Sequence, residues 1–375
     1  MKIIIIGPIY PYKGGIAHYT GMMASSLQKE HDVEVISFSL QYPRFLYKKE
    51  QKDYKNDCLG FKNTKFILNT INPVSYFATA MYIKRQKPDL IIYQWWHPYF
   101  ALAYWCISKM IKKTCVIIFV CHNVLPHEKF LFQKTLTIAT LSRGNAYIVH
   151  SYAEAKVLES LLKAPYYKNT PLPAFDFFND GKHTRKVSRE TLRVSESEYV
   201  LLFFGLIREY KGLRHLINAM PTIISGCKSC KLLIVGDFFE GNKNDYVDLI
   251  KQCGMEEFIQ IYSGYVSDNE VGLYFTACDV VVLPYESATQ SGIVQVAYGF
   301  NKPVIATSVG GLLDVVIDGK TGFLIPPHDS TAIASSVLSF VRHEDKEQFN
   351  TNIKAEKYKF SWDRMNEVIN ELNEK

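Results

Sequence analysis

At 375 residues the chain exceeds the roughly 250–300 residues at which a single hydrophobic core stops growing, so two domains are expected. Hydrophobic residues make up 47% and charged residues 21%, which excludes wholesale disorder. The net charge of +6 is uneven: residues 1–170 carry 22 Lys/Arg against 10 Asp/Glu, net +12, and the remainder carries 21 against 27, net −6, so the first half suits an anionic partner such as nucleic acid, membrane headgroups or a phosphorylated substrate.

Residues 2–6 read as a buried parallel strand, followed by a loop with Pro8, Pro11, Gly14 and Gly15. Residues 16–29 read as a helix with Tyr19, Met23 and Leu27 on one face, and 33–38 as a second strand. The Lys- and Tyr-rich stretch 40–64 reads as a surface excursion. A helix over 74–87 and strands over 90–93, 116–121 and 146–149 continue a β/α alternation, with an aromatic helix between the strands at 90 and 116. Pro165, Pro171, Pro173 and a charged run to Arg193 read as an interdomain linker, and the alternation restarts with strands over 199–204, 232–235, 259–262, 280–283 and 303–307. The expected fold is α/β: two doubly wound Rossmann-like domains facing each other across a cleft. The expected bounds are 1–175 for the first domain, 176–198 for the linker and 199–359 for the second, with a C-terminal amphipathic helix in 360–375 packing back on the first.

No secretory signal and no run of about 18 apolar residues is visible, which points to a cytoplasmic protein, peripheral at most to the inner face of the membrane. The eight cysteines read as reduced thiols. No Asp/His cluster has metal spacing, and no DxD occurs. The spacing of Gly7, Gly14 and Gly15 is not GxGxxG, which disfavours a dinucleotide-binding dehydrogenase. Trp95, Trp96, Tyr99, Phe100, Tyr104 and Trp105 followed by Lys109, Lys112 and Lys113, with Lys48, Lys49, Lys52, Lys55, Lys62 and Lys65 upstream, suit either a membrane interface or an aromatic core with solvated lysines. No RNA-binding motif appears, so nucleic acid is not the expected partner.

Four stretches stand out: Gly14-Gly15 after the first strand; Gly205 to Gly212, containing Arg208 and Lys211, after another; the run PYESATQSGIVQVAYGFNKPVIA over 284–306; and Gly310-Gly311 followed by Asp318-Gly319-Lys320-Thr321-Gly322. In this order and spacing they resemble the retaining glycosyltransferases of family 4, which have the GT-B fold. The resemblance implies a nucleotide-sugar donor, such as a UDP- or GDP-sugar, bound mostly by the second domain. It implies a saccharide or lipid-diphosphate-linked acceptor on the first, and no cofactor or essential metal.

Breaking a glycosyl–diphosphate bond leaves negative charge on the diphosphate, which cations and oriented N–H groups stabilise. Arg208 and Lys211, in a strand-to-helix loop, are the candidate cations, and the backbone of Gly14 and Gly15 can approach the phosphates. Ser291-Gly292-Ile293 should open a helix whose N–H groups hold the diphosphate, the alternative being that Ser291 serves only as an N-cap. His122, directly after a strand, resembles the family's histidine that contacts the donor sugar. Two glutamates usual in the family fall here at Ala288 and Val296, leaving Gln290, Gln295 and Glu286 as candidates for the sugar and ribose. By resemblance the nucleobase meets Gly264-Tyr265-Val266. His18, His97, His127 and Glu128 are weaker acceptor candidates. Two alternatives stay open: another GT-B activity such as a nucleotide-sugar epimerase, or a catalytically degenerate partner subunit.

Overall fold

A computed structural model describes residues 1–47, 50–54, 60–111, 115–126, 131–239 and 242–374. Two compact units divide the chain, Met1–Pro171 with Trp362–Lys375, and Leu172–Ser361.

The first unit alternates strands and helices: β1 (Lys2–Ile6), α1 (Gly15–Leu27), β2 (Asp32–Leu40), β3 (Thr64–Asn69), α2 (Pro73–Gln86), β4 (Leu90–Trp95), α3 (Ala101–Ile111), β5 (Val116–Cys121), α4 (Gln133–Leu141), β6 (Ala146–Val149), α5 (Tyr152–Leu161) and β7 (Tyr167–Asn169). All seven strands are parallel, in the order β3-β2-β1-β4-β5-β6-β7. Ile3 to Ile6 are fully buried, because helices cover both faces of a parallel sheet. The aromatic segment is core: Trp95, Phe100 and Tyr104 are buried, and the Trp95 indole donates to Val124 O at 3.2 Å. Among the described residues no helix is long and apolar enough to cross a membrane.

The second unit repeats the plan: α6 (Arg185–Thr191), β8 (Tyr199–Phe204), α7 (Leu213–Gly226), β9 (Cys230–Gly236), α8 (Lys243–Gln252), β10 (Ile259–Ser263), α9 (Asp268–Ala277), β11 (Val280–Leu283), α10 (Gly292–Gly299), β12 (Val304–Thr307), α11 (Leu312–Val315), β13 (Gly322–Ile325), α12 (Ser330–Arg342) and α13 (Glu347–Ala355). Its six parallel strands run β10-β9-β8-β11-β12-β13. The last helix, α14 (Trp362–Asn373), belongs to the first unit. It buries Met365, Val368, Ile369 and Leu372, one helical stripe, and Asn366 Nδ2 donates to Ser26 Oγ at 2.9 Å.

Residues 176–198, expected as a linker, fold instead into the second unit. Phe175 N donates to Gln295 O and Asn179 Nδ2 to Gly299 O, both on α10. Arg189 is fully buried. It donates to the carbonyls of Ala277, Ser195, Glu196 and Glu198 at 2.8–3.1 Å and to Asp279 Oδ2 at 2.7 Å. The charged composition that reads as a linker thus contains the residue that pins the segment down. Replacing Arg189 by Ala removes the donor of four carbonyls and leaves Asp279 with Arg185 and Val200 N, and should cost about 3–5 kcal/mol of stability in urea denaturation. Arg189→Lys should recover little of it, because one ammonium cannot replace the guanidinium fork.

Candidate functional site

In each sheet the strand order reverses at one point, between β1 and β4 and between β8 and β11. Loops leaving the carboxyl ends of strands at such a reversal diverge and open a crevice where ligands bind. In the second unit these are residues 205–212 after β8 and 284–291 after β11.

Backbone packs on backbone there. Gly212 has φ +65°, and a Cβ on it would fall 1.9 Å from Pro284 O. Glu286 N donates to Tyr210 O at 2.7 Å. Behind them Gly310, φ +47°, would place a Cβ 1.5 Å from Ala288 O, and Gly311 N donates to Thr289 O at 3.1 Å. Only glycine meets both demands at these positions. The three loops after β8, β11 and β12 therefore hold one another in place.

Lys211 closes the short 3-10 turn Glu209–Lys211 just before Gly212. A Cβ on Gly205 would lie 3.1 Å from Lys211 Nζ and 3.5 Å from Ile293 Cδ1, so the ammonium, the strand end and the start of α10 converge. The ammonium also stands 5.5 Å from the Tyr285 ring centre. Among the described residues no carboxylate pairs with it. Desolvation pulls its pKa down to about 8, the nearby Arg208 pushing the same way and Tyr210 opposing. The Arg208 guanidinium stacks 4.3 Å over the Phe239 ring. Two cations side by side, one with no carboxylate partner among the described residues, can attract an anionic ligand.

Ser291 occupies the N-cap of α10 and makes no side-chain cap hydrogen bond. Gly292 and Ile293 open the helix, whose first N–H groups and dipole attract negative charge. Gln290 is half-buried, while Gln295 is 1% exposed and its Oε1 has no hydrogen-bond partner among the described residues. Val296 is buried and apolar. Glu286 does not turn toward Lys211: its Oε1 meets His215 Nε2 at 2.9 Å. Gly264, φ +127°, follows β10, and its N–H donates to Gly236 O at 3.0 Å. Tyr265 beside it is 51% exposed, so its ring is not core packing, and Val266 is half-buried.

The first unit offers a neutral counterpart. His122 leaves β5 buried, and its Nε2 lies 2.7 Å from Gln94 Oε1. With a carbonyl oxygen facing it, Nε2 carries the proton. Desolvation holds its pKa well below the ordinary value, with His150 adding to it, so the imidazole is neutral at physiological pH. The Tyr19 ring meets it edge-on, 4.7 Å between centres. Its loop is gripped from both sides: Val124 N donates to Glu154 Oε2, while Val124 O accepts from Trp95. Burial raises the Glu154 pKa to about 7.

Gly14, φ +108°, is the N-cap of α1, and nothing lies within 4 Å of a Cβ on it or on Gly15, so both present open backbone. His18, on α1, is partly exposed. His97 Nδ1 accepts from Tyr99 N at 3.0 Å and caps a 3-10 turn. His127 and Glu128 lie outside the described residues.

Sequence reasoning missed four polar residues. His150 leaves β6 as His122 leaves β5; its Nδ1 donates to Thr170 O at 2.9 Å and burial lowers its pKa to about 4. A histidine directly after an apolar strand was the available signal for it, and Glu154 follows four residues later in α5. His215 and His328 converge on Glu286 from distant parts of the chain, although no spacing in the sequence joins them.

Comparison with known proteins closes the description. Residues 13–167 match the model of Glycosyltransferase Family 4, and residues 198–343 match that of Glycosyl transferases group 1. An uncharacterized glycosyltransferase of Methanocaldococcus jannaschii is 24% identical over an alignment covering 97% of this chain and 95% of that one. The lipopolysaccharide 1,2-N-acetylglucosaminetransferase of Salmonella typhimurium is 26% identical over 56% of this chain and 60% of its own length. Other curated relatives are matched over about half of their own length. Among solved structures, Anabaena HepE in complex with UDP superposes with a TM-score of 0.76 at 18% identity, covering 99% of both chains. The chain has the GT-B fold and belongs to the group 1 glycosyltransferases of family 4.

Proposed function

We propose that this chain is a retaining hexosyltransferase that moves a sugar from a nucleoside-diphosphate donor to a saccharide or lipid-linked acceptor, in the synthesis of a surface polysaccharide or glycolipid. The observation that carries the reading is Lys211, a desolvated cation with no counter-ion among the described residues, at the strand-order reversal next to the start of α10. In the reaction the bond from the anomeric carbon to the diphosphate oxygen breaks, the acceptor hydroxyl oxygen bonds to that carbon on the same face, and its proton passes to the departing diphosphate. Lys211, Arg208 and the N–H groups of Gly292 and Ile293 hold the diphosphate and stabilise the charge that collects on it.

Gln295, with its buried unpaired oxygen, and Gln290 bind the ribose or sugar hydroxyls in place of the family's glutamates, and Tyr265 stacks on the base. His122, neutral and held by Gln94, contacts the sugar as a hydrogen-bonding group rather than as an acid. No metal is required for the transfer. A UDP-sugar is the first donor to test, because the related HepE fold was solved with UDP. The named activity of the Salmonella relative supports a lipopolysaccharide-type acceptor.

Isothermal calorimetry with UDP, GDP and ADP tests this. One of them should bind, and Lys211→Ala should weaken it by about ten- to a hundredfold, the worth of a charged hydrogen bond. Binding of none would overturn the proposal, and an anomeric product of inverted configuration would overturn retention. Binding without turnover across donors and acceptors would favour the degenerate partner subunit.

We further propose that the chain docks on an anionic membrane surface. Phe66 and Ile67 on β3, Ile71 in the turn after it, and Val74 and Phe77 at the start of α2 are exposed, as are Lys62 and Lys65. Apolar side chains with basic neighbours insert between anionic headgroups. The chain should co-sediment with phosphatidylglycerol vesicles and not with phosphatidylcholine, and Val74→Asp with Phe77→Asp should release it. Failure to bind phosphatidylglycerol at low salt removes membrane docking and leaves the transferase reading intact.

A further inference from the structure

We propose that His215, Glu286 and His328 form a binding site for one zinc-class divalent ion. His215 stands in the first turn of α7, Glu286 in the loop after β11, and His328 in the turn before α12. Their donor atoms lie within 4.8 Å of one another. Glu286 Oε1 is 2.9 Å from His215 Nε2 and 3.7 Å from His328 Nδ1, and the two rings are perpendicular with centres 5.2 Å apart.

A tetrahedral zinc with bonds of about 2.0–2.1 Å spaces its ligands about 3.3 Å apart. The three donors bracket that spacing, and His328, being largely exposed, is free to close the longer gap. A contact of 3.7 Å is too long for a hydrogen bond, and among the described residues His328 makes no other polar contact at its ring nitrogens. Two imidazoles and one carboxylate suit zinc and its transition-metal neighbours, whereas calcium and magnesium prefer all-oxygen sets. The partial exposure of all three residues leaves a fourth position for water.

The ion would tie the start of α7 to two loops. Glu286 N already donates to Tyr210 O, next to Lys211, so the same residue would link the metal to the lysine turn. This is a brace behind the anion site and supplies no ligand to it. Its existence does not depend on the transferase reading.

The test uses the full chain without a polyhistidine tag, stripped with a chelator and titrated with zinc alone in competition with a chromophoric chelator. One zinc per chain should bind. His328→Gly keeps the fold, since His328 sits at φ +60° where glycine is favoured. That variant and Glu286→Gln should each weaken zinc by at least about tenfold, with unchanged far-UV circular dichroism. His183→Ala, a histidine elsewhere on the unit, should leave the affinity unchanged. No bound zinc, equal affinity in His328→Gly, or an equal loss in His183→Ala would each overturn the proposal.

Discussion

A lysine ammonium held largely out of water, beside a second cation and with no carboxylate partner among the described residues, is a cost that the second unit carries at the carboxyl end of its sheet. The surrounding strand ends are arranged so that Lys211 cannot escape it. Gly212 lets the turn lie against Pro284 O, Glu286 N fastens Tyr210, and Gly310 supports the facing loop from behind. Arg189, in the same unit, shows the opposite treatment. It is more deeply buried, yet Asp279 and four carbonyls satisfy it. One cation is compensated and serves stability; the other is left uncompensated, which is the pattern expected where an anionic ligand completes the site.

Local and overall charge run in opposite senses. Residues 171–375 carry a net −6, but the strand ends at their sheet reversal gather Arg208 and Lys211. Residues 1–170 carry +12, while the groups at their strand ends, His122 and His150, are neutral through burial. The excess positive charge of the first unit includes surface lysines such as Lys62 and Lys65. The charge state of these strand-end groups is therefore set by desolvation rather than by net charge.

The sheet plan was legible because central parallel strands are buried on both faces and read as unbroken apolar runs, as Ile3 to Ile6 and Val280 to Leu283 do. Strands β3, β7 and β13 were not read as strands. They are sheet edges, and β3 and β7 expose much of their length, so the apolar signal thins. The segment over 176–198 was misread because prolines and charges dominate its composition, and Arg189 shows its purpose only once its five acceptors are in place. Lys211 was legible from its position after a strand and before a helix. The cluster on Glu286 was not, since 71 residues separate His215 from it. Glu154 was hidden for the same reason: it acts on Val124, 30 residues away.

The central claim is that the free Lys211 ammonium is the charge that receives the diphosphate, and the pH dependence of UDP affinity tests it most directly. A lysine with its pKa lowered to about 8 loses its proton as pH rises through that value, while a bound anion holds the proton on. Affinity should therefore fall as pH rises from 8 toward 10, by up to about tenfold per unit. In Lys211→Arg, whose guanidinium stays charged throughout, it should stay flat. Identical profiles in the two proteins, or a wild-type affinity that does not change across that range, would contradict the account.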